Sequence, residues 1–389
     1  MKKISRRTFF KTTGKFALGA AACGAAGFMM PPVARGSVPT IRMAYILSDH
    51  HAPLIVAAKH GDLFQERFNI FLKPVIEGRR YELHVDGARA AAVQLIPTKK
   101  GPDVEKLMAQ GSIDMGISGT QAILMSVDRG IDVRLVSPVQ TAGNVFVVHK
   151  DQPIDSWEGF VDTVKQKDRP FTIGIPGPDT VASIIFSGAL AHEGLSFTED
   201  LSNRDADIRF INMKGHGNLV AALNNRIADG IIGAQPFPAV TIDQGVGRFI
   251  LNLQDMPPGR WHDHACCSVE AGAAFIQQEP ELVTQMLMLL TLGAEVCQKR
   301  KDLAARACSE WLGIPIGVEE VAMQSLRYTT VAGDSWRKSV AAYACVMENM
   351  GLFDGALNGI QESELGDRVF DFQHSKKAQQ RLQARGLVA

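Results

Sequence analysis

Two stretches constrain this chain more than any others: Gln110-Gly-Ser-Ile-Asp-Met-Gly-Ile-Ser-Gly-Thr-Gln121 and Asn225-Arg-Ile-Ala-Asp-Gly-Ile-Ile-Gly-Ala-Gln235. Each follows an apolar-periodic segment, Val104 to Ala109 in one case and Asn218 to Leu223 in the other. Each then runs Ile, Asp, Gly, Ile, Gly at closely similar offsets. That order predicts a helix, a tight turn, a short buried strand of small residues and a glycine-containing loop. Glycine lacks a Cβ, so the backbone there can bend and be approached closely. A strand that re-enters a helix through such a loop leaves N–H groups free at its carboxyl end, where open α/β sheets bind ligands. One copy would be ordinary turn chemistry. Two copies predict an α/β chain with two similar lobes, each offering one such edge to a shared cleft.

The length of 389 residues, 46% hydrophobic and 21% charged, suits about two domains. Ser5-Arg-Arg-Thr-Phe-Phe-Lys11 reads as a twin-arginine export motif, followed by an Ala/Gly-rich apolar run from Phe16 to Met30 and small residues at Val33 to Gly36. Residues 1–36 are therefore expected to be a signal peptide and the protein periplasmic, with a lipid anchor at Cys23 the alternative. That segment holds seven basic residues and no acid, so of 41 basic residues 34 remain against 41 acidic ones. A mildly acidic body argues against nucleic acid or anionic lipid as partner. Five cysteines remain: Cys266, Cys267, Cys297, Cys308 and Cys345. None is spaced CxxC, the odd count leaves at least one unpaired, and they read as buried small hydrophobes. On one helix Cys297 and Cys308 would stand roughly 16 Å apart, too far to bridge.

Candidate ligand-facing residues fall where strands run into helices. Ser48, Asp49 and His50, with His51 beside them, follow a first strand, Ile41 to Leu47, and precede a helix from Leu54 to His60. They either cap that helix or face the cleft. Gly119, Thr120 and Gln121 close the first signature stretch. The polar run Ser137 to Asn144 reads as a bridge into lobe two, with Asn144 at its end. There Pro178, Asp179 and Thr180 precede a helix from Val181 to Glu193, and Gln235 ends the second signature stretch. Residues 77–102 read as strand and loop. Trp261-His-Asp-His-Ala-Cys-Cys267 is the most unusual local composition. On a continuous strand His262, His264 and Cys266 would share a face, which suits a metal site, a polar ligand-facing loop around His264, or plain packing. Residues 280–300, 303–312, 318–327 and 336–350 read as helices, and the tail after Gln361 as a polar surface segment.

These residues resemble a family of known fold, the periplasmic solute-binding proteins of nitrate/sulfonate/taurine-type ABC importers. Their type II periplasmic-binding fold is shared with thiamine-pyrimidine synthases. The resemblance runs from about Ile41 to Asp354. It rests on Ala52-Pro-Leu-Ile-Val-Ala-Ala-Lys-His-Gly-Asp-Leu-Phe64, Gly111-Ser-Ile-Asp-Met-Gly116, Gly215-His-Gly-Asn-Leu-Val-Ala-Ala-Leu223, Asp229-Gly-Ile-Ile-Gly-Ala-Gln-Pro236 and Phe275-Ile-Gln-Gln-Glu-Pro-Glu-Leu-Val283. It implies lobe one at 37–140 and 241–389, with C-terminal helices packed on it, and lobe two at 141–240. Carried to matching positions, the family's contacts imply Ser48 to His50, Gly119 to Gln121, Pro178 to Thr180 and Gln235 as ligand-binding. The cysteine-rich motif of the pyrimidine synthases is missing.

The expected function is therefore a non-enzymatic, monomeric receptor. It would hold one small polar or anionic solute between its lobes and pass it to a membrane permease, with no cofactor and no resident metal. One alternative is an enzyme on the same fold with Asp49, His50 and His51 as acid/base groups. Another is a metal receptor built on His262, His264 and Cys266.

Overall fold

The computed structural model describes residues 38–388; the twin-arginine motif, the apolar run and Cys23 lie outside them. The chain opens with β1 (Thr40–Ile46), a single 3-10 turn (Asp49–His51), α1 (Ala52–Lys59) and α2 (Gly61–Phe68). A meander of β2 (Ile70–Ile76), β3 (Arg80–Val85) and β4 (Ala88–Thr98) follows. Then come α3 (Gly101–Ala109), β5 (Met115–Gly119), α4 (Thr120–Asp128) and β6 (Val133–Ala142). The next block is β7 (Asn144–His149), α5 (Trp157–Lys165), β8 (Phe171–Ile175), α6 (Val181–His192), β9 (Phe197–Thr198) and β10 (Ile208–Asn212). It ends with α7 (Asn218–Asn224), β11 (Gly230–Ala234), α8 (Phe237–Asp243) and β12 (Gly247–Asn252). The chain closes with β13 (Ala265–Gly272), α9 (Ala273–Gln278), α10 (Pro280–Lys299), α11 (Lys301–Leu312), α12 (Ile316–Ala322), β14 (Leu326–Tyr328), α13 (Asp334–Asn349), α14 (Glu362–Val369) and α15 (Gln373–Ala384).

Two mixed sheets result, in the orders β14-β6-β13-β5-β1-β4-β3-β2 and β12-β7-β11-β8-β10-β9. Their centres repeat one plan. In the first, β4, β1 and β5 are parallel and β13 runs against β5 and β6. In the second, β10, β8 and β11 are parallel and β7 runs against β11 and β12. The two signature stretches are the equivalent third strands, β5 and β11, and both are buried throughout.

The shared geometry of these two strands has a packing cause. A Cβ on Gly116 would lie 2.7 Å from Val104 Cγ1 and 2.9 Å from Glu270 Oε1, and one on Gly233 would collide with Leu219. Small residues let α3 and α7 sit close against the strands. Each signature aspartate does the same work at its strand's start. Asp114 accepts the Arg42 N–H (2.7 Å) and its guanidinium, and Asp229 accepts the Thr172 N–H (2.9 Å) and the Arg169 guanidinium (2.7 and 2.8 Å).

Helix α10 is long and apolar enough to cross a membrane, yet most of it is buried, against α1, α11 and α15. The C-terminal helices pack mainly on the eight-stranded sheet, while α12 also touches α8 and α13 touches α6.

Several local expectations change. The stretch 137–142 is not a loop: β6 continues through it, and the crossing is reduced to Ala142 (φ 63°) and Gly143 (φ 76°). The return crossing comes after Asn252, since β12 pairs with β7, rather than near 240. Residues 77–102 are mostly strand, turned by Asp86 and Gly87, both at positive φ. The helix expected over 318–327 ends at Ala322, and Leu326–Tyr328 instead pairs with β6. The tail forms α14 and α15, and Ala378 and Leu382 are buried in the core.

Candidate functional site

A cavity of about 30 Å³ lies where the carboxyl ends of both sheets' parallel strands meet. The eight-stranded sheet contributes Ser48, His50 and His51 after β1, Gly119 and Gln121 at the start of α4, and Cys266 and Cys267 from β13. The six-stranded sheet contributes Asn144 at the start of β7, Thr180 to Ala182 at the start of α6, His216 before α7 and Ala234. A space of this size holds about two waters, or one small ion.

Direct hydrogen bonds draw the two sheets together around it. Ser48 Oγ donates to the Gln235 carbonyl (2.9 Å), and Gln121 Nε2 donates to the Asp179 carbonyl (2.8 Å). His50 Nε2 donates to the Gly143 carbonyl at the crossing (3.0 Å). A carbonyl can only accept, so this bond puts the proton on Nε2 and leaves Nδ1 facing inward. There Cys266 Sγ lies 3.2 Å and Cys267 Sγ 3.7 Å from His50 Nδ1, and the sulfurs are 3.9 Å apart.

Adjacent strand residues normally face opposite ways. Register shifts in the pairing of β13 with β6, on both sides of Cys267, break that alternation and aim both thiols at His50. Asn144 Nδ2 donates to Cys266 Sγ (3.1 Å) and to His264 Nε2 (3.4 Å), while His264 Nδ1 donates to the Trp261 carbonyl (3.0 Å). Burial opposes ionisation of the Cys266 thiol, but the hydrogen bond from Cys267 and the His50 ring beside it hold it below the usual range.

Two further histidines face the cavity with the opposite proton arrangement. His51 Nδ1 accepts the Ile46 N–H (2.9 Å) and His216 Nδ1 accepts the Ala234 N–H (3.3 Å). Their Nε2 atoms therefore carry the protons, and that of His51 is buried without a partner. Burial pushes both imidazoles down to about 3, so they stay neutral at ordinary pH.

The expected site residues thus divide. Ser48, His50, Gly119, Gln121, Asn144 and Thr180 line the cavity. Asp49 does not. It is fully buried and turns toward Glu319 and Cys308 behind the 3-10 turn, because that turn carries successive side chains around its axis rather than along one face. Thr120 bonds Ser268 (2.7 Å) inside the sheet layer. Asp179 and Gln235 meet the neighbouring sheet through backbone carbonyls, Pro178 is partly exposed outside the lining, and His264 supports Asn144 from behind.

The metal alternative also needs correction. His262 is exposed beside Asp263 because β13 starts only at Ala265, so His262, His264 and Cys266 never share a face. His51 faces the cavity as its position beside His50 suggested, whereas the places of His216 and Cys267 in the lining were not foreseen from the sequence. His216 lies in Gly215-His-Gly217, in the loop that leads from the parallel strand β10 into α7, where the sequence reading placed no candidate residue.

A sequence profile of the NMT1-like family matches residues 34–313. Over 105 residues the chain is 33% identical to an uncharacterized protein of Methanocaldococcus jannaschii, covering 27% of this chain and 72% of that one. Among solved structures, the ligand-binding component of an ABC-type import system from Staphylococcus aureus, with zinc bound, superposes with a TM-score of 0.67 at 14% identity. It covers 87% of this chain and 99% of its own. The periplasmic nitrate-binding protein of Synechocystis gives 0.67 at 14% identity over 90% and 91% of the chains. The alkanesulfonate-binding protein of Xanthomonas axonopodis gives 0.62 at 15% identity over 86% and 99%. These likenesses establish the periplasmic-binding-protein fold. With nearly three quarters of its length matched by the profile, the chain belongs to the NMT1-like family.

Proposed function

We propose that this protein is an extracytoplasmic solute receptor: it closes two sheet-based lobes, the eight-stranded sheet with the C-terminal helices and the six-stranded sheet running from β7 to β12, over one small guest and presents the closed form to an ABC import permease. The observation that carries this reading is the cavity itself. It is lined by strand-to-helix loops of both sheets, and two crossings join the sheets. The fold neighbours from import systems and the export-signal pattern at the N-terminus support the same reading. The proposed contacts are Ser48, His50, Gly119, Gln121, Asn144 and Thr180, with Pro178, Asp179 and Gln235 closing the rim. The receptor acts as a monomer in the periplasm and performs no chemistry on its guest.

The alternative acid/base role for Asp49 loses its footing, since that carboxyl faces Glu319 rather than the cavity. The test is a thermal-shift screen of the exported protein against nitrate, sulfonates, bicarbonate, amines, pyrimidines and metal ions. A guest at 100 times its dissociation constant should add about 2.7 kcal/mol. Indifference to every one of them would overturn the reading.

A further inference from the structure

We infer that the guest site is a soft-metal site, in which His50 Nδ1, Cys266 Sγ and Cys267 Sγ hold one monovalent d10 cation of the Cu(I) class in three-coordinate geometry. Naming that ion as the transported cargo rests on the receptor reading; the site itself stands on the arrangement of the three donors.

Four observations converge. First, the three donor atoms come from two distant parts of the chain, are all buried, and lie within 4.8 Å of one another. Their separations of 3.2, 3.7 and 3.9 Å place a point equidistant from all three at about 2.1 Å, already an ordinary metal–ligand length. Second, the hydrogen bond from His50 Nε2 to the Gly143 carbonyl is the outer-shell bond that orients a metal-binding imidazole and fixes its tautomer.

Third, no other cavity-lining histidine offers a lone pair. His51 and His216 use theirs on backbone N–H groups and present N–H instead. His264, behind the lining, accepts from Asn144. No Asp or Glu lines the cavity. One nitrogen and two sulfurs fall short of the closed tetrahedral shell of a structural zinc site, and a zinc ion on such a set takes a fourth ligand from water or substrate, which a three-coordinate monovalent ion does not need. Soft thiolates select Cu(I), for which three ligands suffice.

Fourth, the surroundings suit a cage of net charge −1, which two thiolates around a monovalent ion make and two thiolates around a divalent ion do not. The nine-residue α4 and twelve-residue α6 both begin at the cavity, aiming their positive ends at it. The Asn144 amide donates to the Cys266 sulfur, and His51, whose buried Nε2–H has no partner, adds a further N–H to the cavity lining. The free volume of about 30 Å³ matches an ion better than a many-atom organic solute.

The experiment uses the full chain purified without an affinity tag that binds metal, reduced under anaerobic conditions. Cu(I) is titrated in competition with a coloured Cu(I) chelator, Zn(II) serves as control, and X-ray absorption and small-angle scattering are recorded on the loaded protein. The expected result is one Cu(I) per chain with two sulfur and one nitrogen neighbours, and Zn(II) displaced by an equivalent of Cu(I). His50→Gln and Cys267→Ser should weaken binding by more than the about 10- to 100-fold that loss of an outer-shell partner such as Asn144 costs. Cys345→Ser, at the one exposed cysteine among the described residues, should change nothing. The absorption spectrum needs no variant, so a misfolded mutant cannot rescue or sink the assignment. Copper surrounded by other atoms, or bound equally after both Cys266 and Cys267 become Ser, overturns it. If copper fails while an organic solute compacts the protein, the metal assignment falls and the receptor reading survives. If copper binds with this shell but leaves the radius of gyration unchanged, the site stands and the cargo role falls.

Discussion

At the scale of single residues, Gly143 carries the heaviest constraint. It sits at φ 76° on the crossing between the sheets, and a Cβ there would collide with Leu326 and lie 2.9 Å from His50 Nε2. Gly143→Ala should therefore cost about 2–4 kcal/mol in chemical denaturation, from the left-handed backbone and the displaced neighbours together. It should also disturb His50, which a distant overpacking mutation would not. The buried Asp49–Glu319 pair supplies a second test. Burial pushes the Glu319 carboxyl up to about 7, and burial with the Glu319 charge raises Asp49 as well. The folded state then keeps a proton that the unfolded chain releases near its ordinary value of 4.5. The pair's contribution to stability is thus fully present below that value and is lost as pH rises toward about 7. Melting curves from pH 5 to 8 should show this fall, and Glu319→Gln should remove much of it; an unchanged slope in the variant would exclude the pair as its source. Nothing in the local sequence marked Asp49 as a core residue. Its partner lies 270 positions away on α12, and no periodicity reaches that far.

Whole elements were legible where a local pattern set them. The two signature stretches announced equivalent strands, and the strand-to-helix loops around them are the ones that meet at the cavity. The aspartate in each stretch has a role that the pattern alone did not reveal: it ties the start of its strand to the neighbouring parallel strand. Burial works against ionisation of Asp229, but the Arg169 guanidinium and the Thr172 N–H and hydroxyl outweigh it and hold the carboxyl down to about 2. Its contribution is present above the unfolded value of 3.8 and lost as pH falls toward 2. Asp229→Ala should cost about 2–3 kcal/mol at neutral pH, the figure being kept low because Arg169 is half exposed. Asp229→Asn should flatten the acid limb of the stability curve. Since Asp114 shares no partner with it, the double Asp114→Ala, Asp229→Ala variant should show additive losses within about 0.5 kcal/mol. What stayed hidden were features of pairing rather than of pattern. Asp86-Gly87 is a hairpin signal that deserved a turn, whereas the irregular pairing of β13, which swings both thiols toward one ring, depends on its register with β6.

For the molecule as a whole, the contacts between the sheets are of two kinds. Around the cavity they are polar: Ser48 to Gln235, Gln121 to Asp179 and His50 to Gly143. At α13 and α6, and at α12 and α8 where Val318 and Ala322 meet Ala239, they are apolar, and Gly188 packs so closely on Trp261 and Val346 that a Cβ would come within 3.1 and 3.2 Å of them. Opening lets polar groups exchange a protein partner for water at a net cost of only about 0.5–1.5 kcal/mol per bond, while exposing apolar surface costs about 25 cal/mol per Å² without compensation. The polar set therefore acts as the latch and the apolar contacts as the pivot. Ser48→Ala with Gln121→Ala removes two latch bonds, about 1–3 kcal/mol, which shifts the closed-to-open ratio roughly 5- to 150-fold. Small-angle scattering should find the guest-free double variant larger than the guest-free native protein, with the difference vanishing once a tight guest holds the sheets together. A double variant as compact as the native protein, with or without guest, would mean that the apolar contacts alone fix the sheets and that no opening motion serves this site.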